Sequence, residues 1–256
     1  MEFEPTTILD AVILMAGAGS RLRASRNEIP KPLVPILGRP LISYTIDALH
    51  RAGVRKFHAV VGAESDRMIA GLRPLLPAGM TLNVIPNDEW KKQNGVSLLQ
   101  AEGHLAAPFL LLMADHLFDE AVLETLVRQS DPEQLNLAVD RKLGAIFDLD
   151  DAMKVQTEGE RVTGIGKTLS PYDAIDTGAF LCSLEIFRYL RAAQNEEGDC
   201  SLAEGVRLMA HDRKVRAIDI GSAWWQDVDT PEMLRHAESI LRRLRPAVPL
   251  SVLAPR

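Results

Sequence analysis

Two glycines spaced as Gly17-Ala18-Gly19, a Ser20-Arg21 pair directly after them, and Lys31 within Pro30-Lys31-Pro32-Leu33 are the residues of this chain best suited to hold phosphate. Glycines in a tight turn let successive backbone N–H groups approach an anion, and such groups form a concave anion site. Arg21, Arg23, Arg26 and Lys31 add four positive charges over a short stretch of a chain whose formal net charge is −6. That density suits a nucleoside triphosphate and the charge that develops on a departing pyrophosphate. A lone Gly-x-Gly also fits a solvated basic turn, and it is the nearby Pro-Lys-Pro that favours a phosphate loop. Two other phosphate motifs do not fit. The segment lacks the Gly-Lys-Ser/Thr of a P-loop, and Leu22 stands where a dinucleotide fingerprint needs a small third residue.

Asp115, Asp227 and Asp229 are the matching acids. Asp115 follows the apolar run Phe109 to Met113, as Gly17 follows Ile8 to Ala16. In a parallel sheet both therefore lie at the carboxyl edge, where α/β proteins bind ligands. Phosphoryl or nucleotidyl transfer uses a divalent cation to neutralise phosphate oxygens, and Mg²⁺ takes one or two protein carboxylates plus ligand phosphates. Asp115 with Asp227 or Asp229 would supply those carboxylates. The structural alternative makes Asp115 a turn residue and the other two acids that complement the dipole of a helix starting at Pro231. His116 is open between a ligand contact and a hydrogen-bonded structural role, and Trp224 and Trp225 read as core or interface anchors. Asp148-Leu149-Asp150-Asp151 reads as a solvated turn, not a calcium loop, because Met153 and Gly159 occupy the positions of the required glycine and glutamate. No Ser-His-Asp or Cys-His spacing suggests a covalent nucleophile.

These groups need a scaffold that brings distant segments to one edge, and the hydrophobic pattern predicts one. Ile8 to Ala16 is almost unbroken apolar sequence, which reads as a strand buried on both faces and favours a parallel sheet. Leu41, Ile42, Ile46, Leu49 and Ala52 fall at helical spacing, with Gly53 as terminator. The alternation continues with a strand Phe57 to Gly62, a helix Ser65 to Leu72, a strand Thr81 to Ile85, a helix Ser97 to Leu105 and the strand Phe109 to Met113. Right-handed crossovers then make the N-terminal half a doubly wound, mostly parallel, Rossmann-like α/β sheet. After Asp115, strands from Leu135 to Asp140, Lys154 to Thr157, Arg161 to Ile165 and Ile175 to Cys182 predict a mixed or antiparallel extension with few long helices. Glu158-Gly159-Glu160 predicts a hairpin turn within it. Helices near Ile186 to Ala193 and Leu202 to His211, a strand Val215 to Ile220 and a helix from Pro231, capped by Thr230, restore the α/β pattern.

With 46% hydrophobic and 25% charged residues among 256, the composition is that of a globular protein, read as one domain over residues 8–244. The extension spans about 135–183, and residues 246–256, with three prolines, read as a tail or linker stub. An excess of 35 acids over 29 Lys and Arg argues against a nucleic-acid partner. Cys182 and Cys200 form no disulfide framework and suit a reducing cytoplasm. The acidic start Met1-Glu2-Phe3-Glu4-Pro5 and the shortness of the run Phe109 to Met113 predict no export signal and no membrane insertion. A homodimer is left open.

Leu14-Met15-Ala16-Gly17-Ala18-Gly19-Ser20-Arg21 followed by Pro30-Lys31-Pro32-Leu33 resembles the signature of the nucleotidyltransferase superfamily, which couples nucleoside triphosphates to phosphorylated sugars or alcohols. Met113-Ala114-Asp115-His116 and Trp225-Gln226-Asp227-Val228-Asp229-Thr230 are similar to that family's metal-binding segments. The resemblance implies a GT-A-like nucleotidyltransferase fold. It implies phosphate contacts from Ala16, Gly17, Ala18, Gly19, Ser20 and Arg21, a bridging Lys31, and Mg²⁺ on Asp115 with Asp227 or Asp229. Asn94-Gly95-Val96-Ser97, Gly166-Lys167 and Ile175-Asp176-Thr177-Gly178 further resemble the CTP:inositol-1-phosphate cytidylyltransferases. By that resemblance Asn94, Gly95 and Ser97 lie near base and ribose, Lys167 holds the acceptor's phosphate, and Asp140, Arg141 and Asp176 face the acceptor. Arg21, Lys31 and Lys167 are then the catalytic cations. Phosphocholine, 2-aminoethylphosphonate and sugar 1-phosphates are rival acceptors, UTP is the rival nucleotide, and a silent nucleotide-binding regulatory subunit is the rival of another class.

Overall fold

The apolar run near the N-terminus becomes β1 (Asp10–Met15), and all six of its residues are buried. From there the computed structural model, which describes residues 10–17, 29–62, 64–106 and 108–244, continues through β2 (Pro35–Ile36), β3 (Arg39–Pro40), α1 (Leu41–Arg51), β4 (Lys56–Val61), α2 (Ser65–Leu72), β5 (Thr81–Pro86), α3 (Asn94–Leu99) and β6 (Phe109–Met113). It then passes through β7 (His116–Phe118), α4 (Glu120–Gln129), β8 (Leu135–Asp140), β9 (Lys154–Glu158), β10 (Arg161–Gly166), β11 (Ala174–Cys182), α5 (Glu185–Ala193), α6 (Leu202–His211), β12 (Val215–Asp219), β13 (Trp225–Asp227) and α7 (Pro231–Leu244). The predicted start at Ile8 and the tail 246–256 lie outside the described residues.

Nine strands form one sheet in the order β5-β4-β1-β6-β11-β8-β12-β10-β9. The β1–β4, β1–β6, β4–β5 and β8–β12 pairs are parallel, whereas β11 is antiparallel to both β6 and β8, and β10 to both β9 and β12. The extension is therefore continuous with the parallel half. Successive residues of β1 alternate between two cores. Val12 and Leu14 join the cluster that includes Ile186, Leu190 and Val206, whereas Ala11, Ile13 and Met15 join the one that includes Ile42, Ile46, Leu49 and Leu126. That alternation under helices on both faces is why the strand reads as unbroken apolar sequence. A small third cluster packs Val34, Ile36 and Leu41 against Leu117, Val228 and Leu234 beneath the start of α7.

Gly159 takes φ +64° in the β9–β10 hairpin, and the Met233 backbone N–H bonds Thr230 Oγ1 at 3.2 Å, as predicted for a turn and a cap. Two predictions need correction. The helix expected over Ser97 to Leu105 is instead Asn94–Leu99, after which the chain turns through Gly103 at φ +80°. The expectation of few long helices after Asp115 missed α4, capped by Asp119, whose side chain accepts from the Ala121 N–H at 3.0 Å. Its buried residues Val122, Leu123 and Leu126 cover the sheet beside α1. Also unforeseen is the separate two-stranded ribbon of β7 and β13, which pairs Asp227 with His116 and Trp225 with Phe118.

Candidate active site

The carboxyl ends of β1 and β6 are neighbours, with Leu14 opposite Met113, so the chain leaves the sheet at Ala16-Gly17 and at Ala114-Asp115 side by side. Glycine is needed at Gly62, beyond β4, for close approach: a Cβ there would stand 2.3 Å from Trp90 Cβ and 2.6 Å from the Ala16 carbonyl oxygen. Trp90 can therefore lie against the end of the sheet, beside Ala16-Gly17.

Lys31 enters on a single helical turn after Pro30 and is 8% exposed. Its Nζ donates to Asp115 Oδ2 at 2.5 Å and to Asp229 Oδ1. Asp229 reaches this point from the end of the ribbon, where the Val228 N–H bonds the Asp115 carbonyl at 2.9 Å. The other oxygen of Asp115, Oδ1, lies 2.8 Å from His116 Nδ1. The imidazole is held on one face and along one edge. Trp225 stacks on it with ring centroids 5.7 Å apart and planes 10° from parallel. Against its Cδ2–Nε2 edge lies Gly178 at φ +76°, where a Cβ would be 2.7 Å from Cδ2.

Burial alone would raise the Asp115 carboxyl and lower the Lys31 and His116 cations, yet mutual attraction overrides it for all three. The Lys31 ammonium and the His116 ring hold Asp115 well below the usual carboxylate range. Asp115 and Asp229 hold Lys31 above its ordinary value, and Asp115, with help from Asp227 and Asp176, holds His116 above its own. Burial raises Asp227, which Asp229 and Asp115 push further up against the pull of His116. Asp176 is pushed up to about 6 by burial, in spite of the Gly178 N–H bond to its Oδ1 at 2.7 Å.

Two adjoining cavities open at this edge. The smaller, about 440 Å³, is lined by Ala16, Gly17, Lys31, Trp90, Ser97 and Asp115 among others. The larger, about 470 Å³, is lined by His116, Lys167, Asp176, Arg207, Trp225 and Asp227 among others. Asn94, Met113 and Asp229 line both, so the carboxylates and Lys31 stand at the seam. Asp115 and Asp229 already direct one oxygen each at a single cationic atom, Lys31 Nζ. Among the described residues no three His, Cys, Asp or Glu side chains form a ready-made metal site. Two carboxylates completed by ligand phosphates are nevertheless the donor set that Mg²⁺ prefers, so Asp115 with Asp227 or Asp229 fits a divalent cation.

The structure brings together Ala16, Gly17, Lys31, Asn94, Ser97, Asp115, Lys167, Asp176, Asp227 and Asp229. Ala18, Gly19, Ser20 and Arg21, with Arg23 and Arg26, lie outside the described residues. Gly95 is buried in α3, where a Cβ would stand 2.6 Å from the Cys200 carbonyl oxygen, so the structure gives it a packing reason. Asp140 stands behind Trp225 and lines a separate hollow of about 140 Å³. Arg141 is engaged by Asp173 and by Thr157 Oγ1, the latter at 3.0 Å. Trp90, Lys92, Glu204 and Arg207 went unnoticed in the sequence. Of these only Glu204 had a local signal, the Ser201-x-x-Glu204 capping box that starts α6. Trp225, read as a core or interface anchor, and Asp148 and Asp151, read as a solvated turn, line the larger cavity, and Asp151 pairs with Lys167 at 2.5 Å.

Residues 11–211 match the profile of the MobA-like NTP transferase domain family. The Bifunctional IPC transferase and DIPP synthase of Aquifex aeolicus is 35% identical over 231 residues, covering 90% of this chain and 51% of that protein. Its namesake from Thermococcus kodakarensis is 36% identical over 235 residues, covering 91% and 50%. The chain thus spans about half the length of these curated relatives. The structure of the inositol-1-phosphate CTP transferase from T. maritima shares the fold, with a TM-score of 0.84 at 24% identity over 96% of this chain and 99% of that one.

Proposed function

Because this chain belongs to the MobA-like NTP transferase family, we propose that it couples CTP to inositol 1-phosphate, giving CDP-inositol and pyrophosphate, with Mg²⁺ as its divalent cation. One observation carries this reading: two cavities of similar size meet where Lys31, Asp115 and Asp229 converge. A nucleotide in the smaller cavity would present its α-phosphorus at that seam. An acceptor in the larger cavity would face it with its phosphate. An acceptor phosphate oxygen forms the new P–O bond as the bond to pyrophosphate breaks, so no covalent enzyme intermediate is required.

The roles follow from position. Lys31 neutralises oxygens of the transferring group, Asn94 and Ser97 sit beside the nucleoside, and Trp90 walls the nucleotide cavity. Lys167 holds the acceptor's phosphate. Arg21 and the rest of the Gly17 to Arg21 loop bind the triphosphate. Asp115 with Asp229 or Asp227 would hold Mg²⁺, which would supply charge neutralisation at the phosphates when bound. Catalysis is then positioning plus preorganised electrostatics.

The names of the relatives support inositol 1-phosphate, and so does the cavity. Asp148, Asp151, Asp176 and Glu204 line it beside Lys167 and Arg207, which suits a polyol whose hydroxyls donate to carboxylates while its phosphate meets cations. The same carboxylates would take an ammonium, which favours an aminoalkyl phosphate or phosphonate as the second reading. The cavity residues between 146 and 180 support assigning the extension of about 135–183 to the acceptor side of one domain over 8–244. The described residues contain no helix long and apolar enough to cross a membrane, and both cysteines are buried free thiols, which fits a reducing compartment.

A matrix of CTP and UTP against inositol 1-phosphate, phosphocholine, 2-aminoethylphosphonate and a sugar 1-phosphate, read by pyrophosphate release, tests the proposal. CTP with inositol 1-phosphate should turn over fastest. Lys31→Ala and Asp115→Ala should each lose ~10²–10³ in rate, the typical cost of one preorganised charge. Near-parental turnover in either variant would reject the roles given to Lys31 and Asp115, and no turnover with any pair would reject the enzyme and leave the regulatory subunit.

A further inference from the structure

Asp140 ends β8 and is 3% exposed, a costly place for a carboxylate unless its oxygens are paired. They are. Oδ1 accepts from the Lys142 backbone N–H at 2.7 Å and from the Lys142 ammonium at 2.8 Å, and Oδ2 accepts from Trp225 Nε1 at 3.0 Å. The indole bound in this way is the one that stacks on His116. Its strand neighbour on the same face is Asp227, which pairs with His116 across the ribbon.

β7 and β13 have three residues each and, among the described residues, pair only with one another. A two-stranded ribbon is marginally stable by itself, so its geometry depends on what anchors it. The bond from Asp140 to Trp225 ties this ribbon to the nine-stranded sheet, since β8 lies inside that sheet. The edge of the indole is fixed by the hydrogen bond and its face by the imidazole, which together set the ring plane.

We propose that Asp140 is a positioning residue for the transfer step: by fixing the Trp225 indole it holds the ribbon so that His116 and Asp227 stay in register with Asp115 and Lys31. The kinetic half of this inference rests on the transfer reading above. Asp140 lines neither of the two cavities, and its path to the site runs through Trp225.

The test compares Asp140→Ala, Asp140→Asn, Trp225→Phe and the double variant Asp140→Ala/Trp225→Phe. Asp140→Ala and Trp225→Phe should each lower kcat about 10- to 100-fold, the cost of a small misplacement at a reacting centre, with nucleotide affinity within about twofold of the parent, since the nucleotide cavity does not include Trp225. The double variant should be no worse than either single one. Asp140→Asn should fall between the parent and Asp140→Ala, because its single amide oxygen can accept from the indole or from the Lys142 donors but not from both. A second readout needs no substrate: the ¹⁵N indole resonance assigned by Trp225→Phe should exchange slowly with solvent in the parent and fast in Asp140→Ala. Parental kcat in folded Asp140→Ala, losses that multiply in the double variant, or an indole indifferent to Asp140→Ala would overturn the proposal. If Asp140→Ala fails to fold, parental kcat in Trp225→Phe overturns it. A parental protein that releases no pyrophosphate would sink the transfer reading alone, and the indole signal would still decide this one.

Discussion

Lys31 sits where two carboxylates would otherwise repel across a partly buried gap, and this balance explains the charge states around it. Its ammonium and the His116 imidazole keep Asp115 ionised in surroundings that burial makes unfavourable for charge. Asp176 has weaker compensation. Burial pushes it up to about 6, and only the Gly178 N–H and His116 pull the other way. A carboxyl whose folded pKa lies above its unfolded value binds its proton more tightly when folded. Its contribution to stability is therefore fully present below the ordinary value of about 3.9 and is lost as pH rises from there through about 6. Urea unfolding of the parent between pH 4.5 and pH 7 should accordingly show a component that weakens with rising pH, and Asp176→Asn should remove it. A variant whose pH profile parallels the parent's would place the Asp176 titration elsewhere.

At the level of elements, α3 illustrates how packing and chemistry share one short segment. Asn94 and Ser97 face the cavities, while Gly95 turns its bare Cα to the Cys200 and Ser201 backbone ahead of α6. Gly95→Ala should destabilise the fold by about 1–3 kcal/mol through overpacking. Backbone is what it would strike, so no side-chain rotamer can relieve the clash. An unchanged urea midpoint would show that α3 is free to shift. This double duty also explains what the amino-acid pattern could and could not convey. Strands β1, β6 and β8 and helices α1 and α6 were legible because each buries a continuous or periodic set of side chains within its own length. Gly95 was legible as part of a motif, but its contact with Cys200 comes from a distant segment. β7 and β13 are too short to alternate visibly, and each is a strand only because the other lies beside it. α4 carries just three buried residues, and its clearest local mark is the Asp119 cap. The phosphate loop, Lys31 and Asp115 stood out because glycine and charge after an apolar strand form a local pattern. Trp90, Trp225 and Arg207 carry no such pattern, since their place at the cavities comes from tertiary approach.

On the scale of the whole molecule, an acidic protein of net charge −6 must bind two anionic reactants, so attraction has to be local. The fold arranges this by division of labour along the chain. Apart from Asp229, the smaller cavity draws its lining from residues 14–115, whereas the larger takes most of its own from the extension and from α6. Shared residues are confined to the seam. Perturbing one cavity away from that seam should therefore leave the other intact. Lys167 is the test case, since its side chain is 55% exposed and pairs with Asp151 at 2.5 Å. An ion pair so exposed is worth ~1 kcal/mol or less, so Lys167→Ala should scarcely change the unfolding midpoint. Its effect should appear instead as an acceptor KM raised about fivefold or more, as expected for one lost charge-assisted hydrogen bond to a phosphate. Calorimetry with the nucleotide alone should give an affinity within about twofold of the parent, because Lys167 does not line the smaller cavity. Equal losses of nucleotide and acceptor binding would mean that the two reactants share one continuous site, and the assignment of cavities to substrates would have to be redrawn.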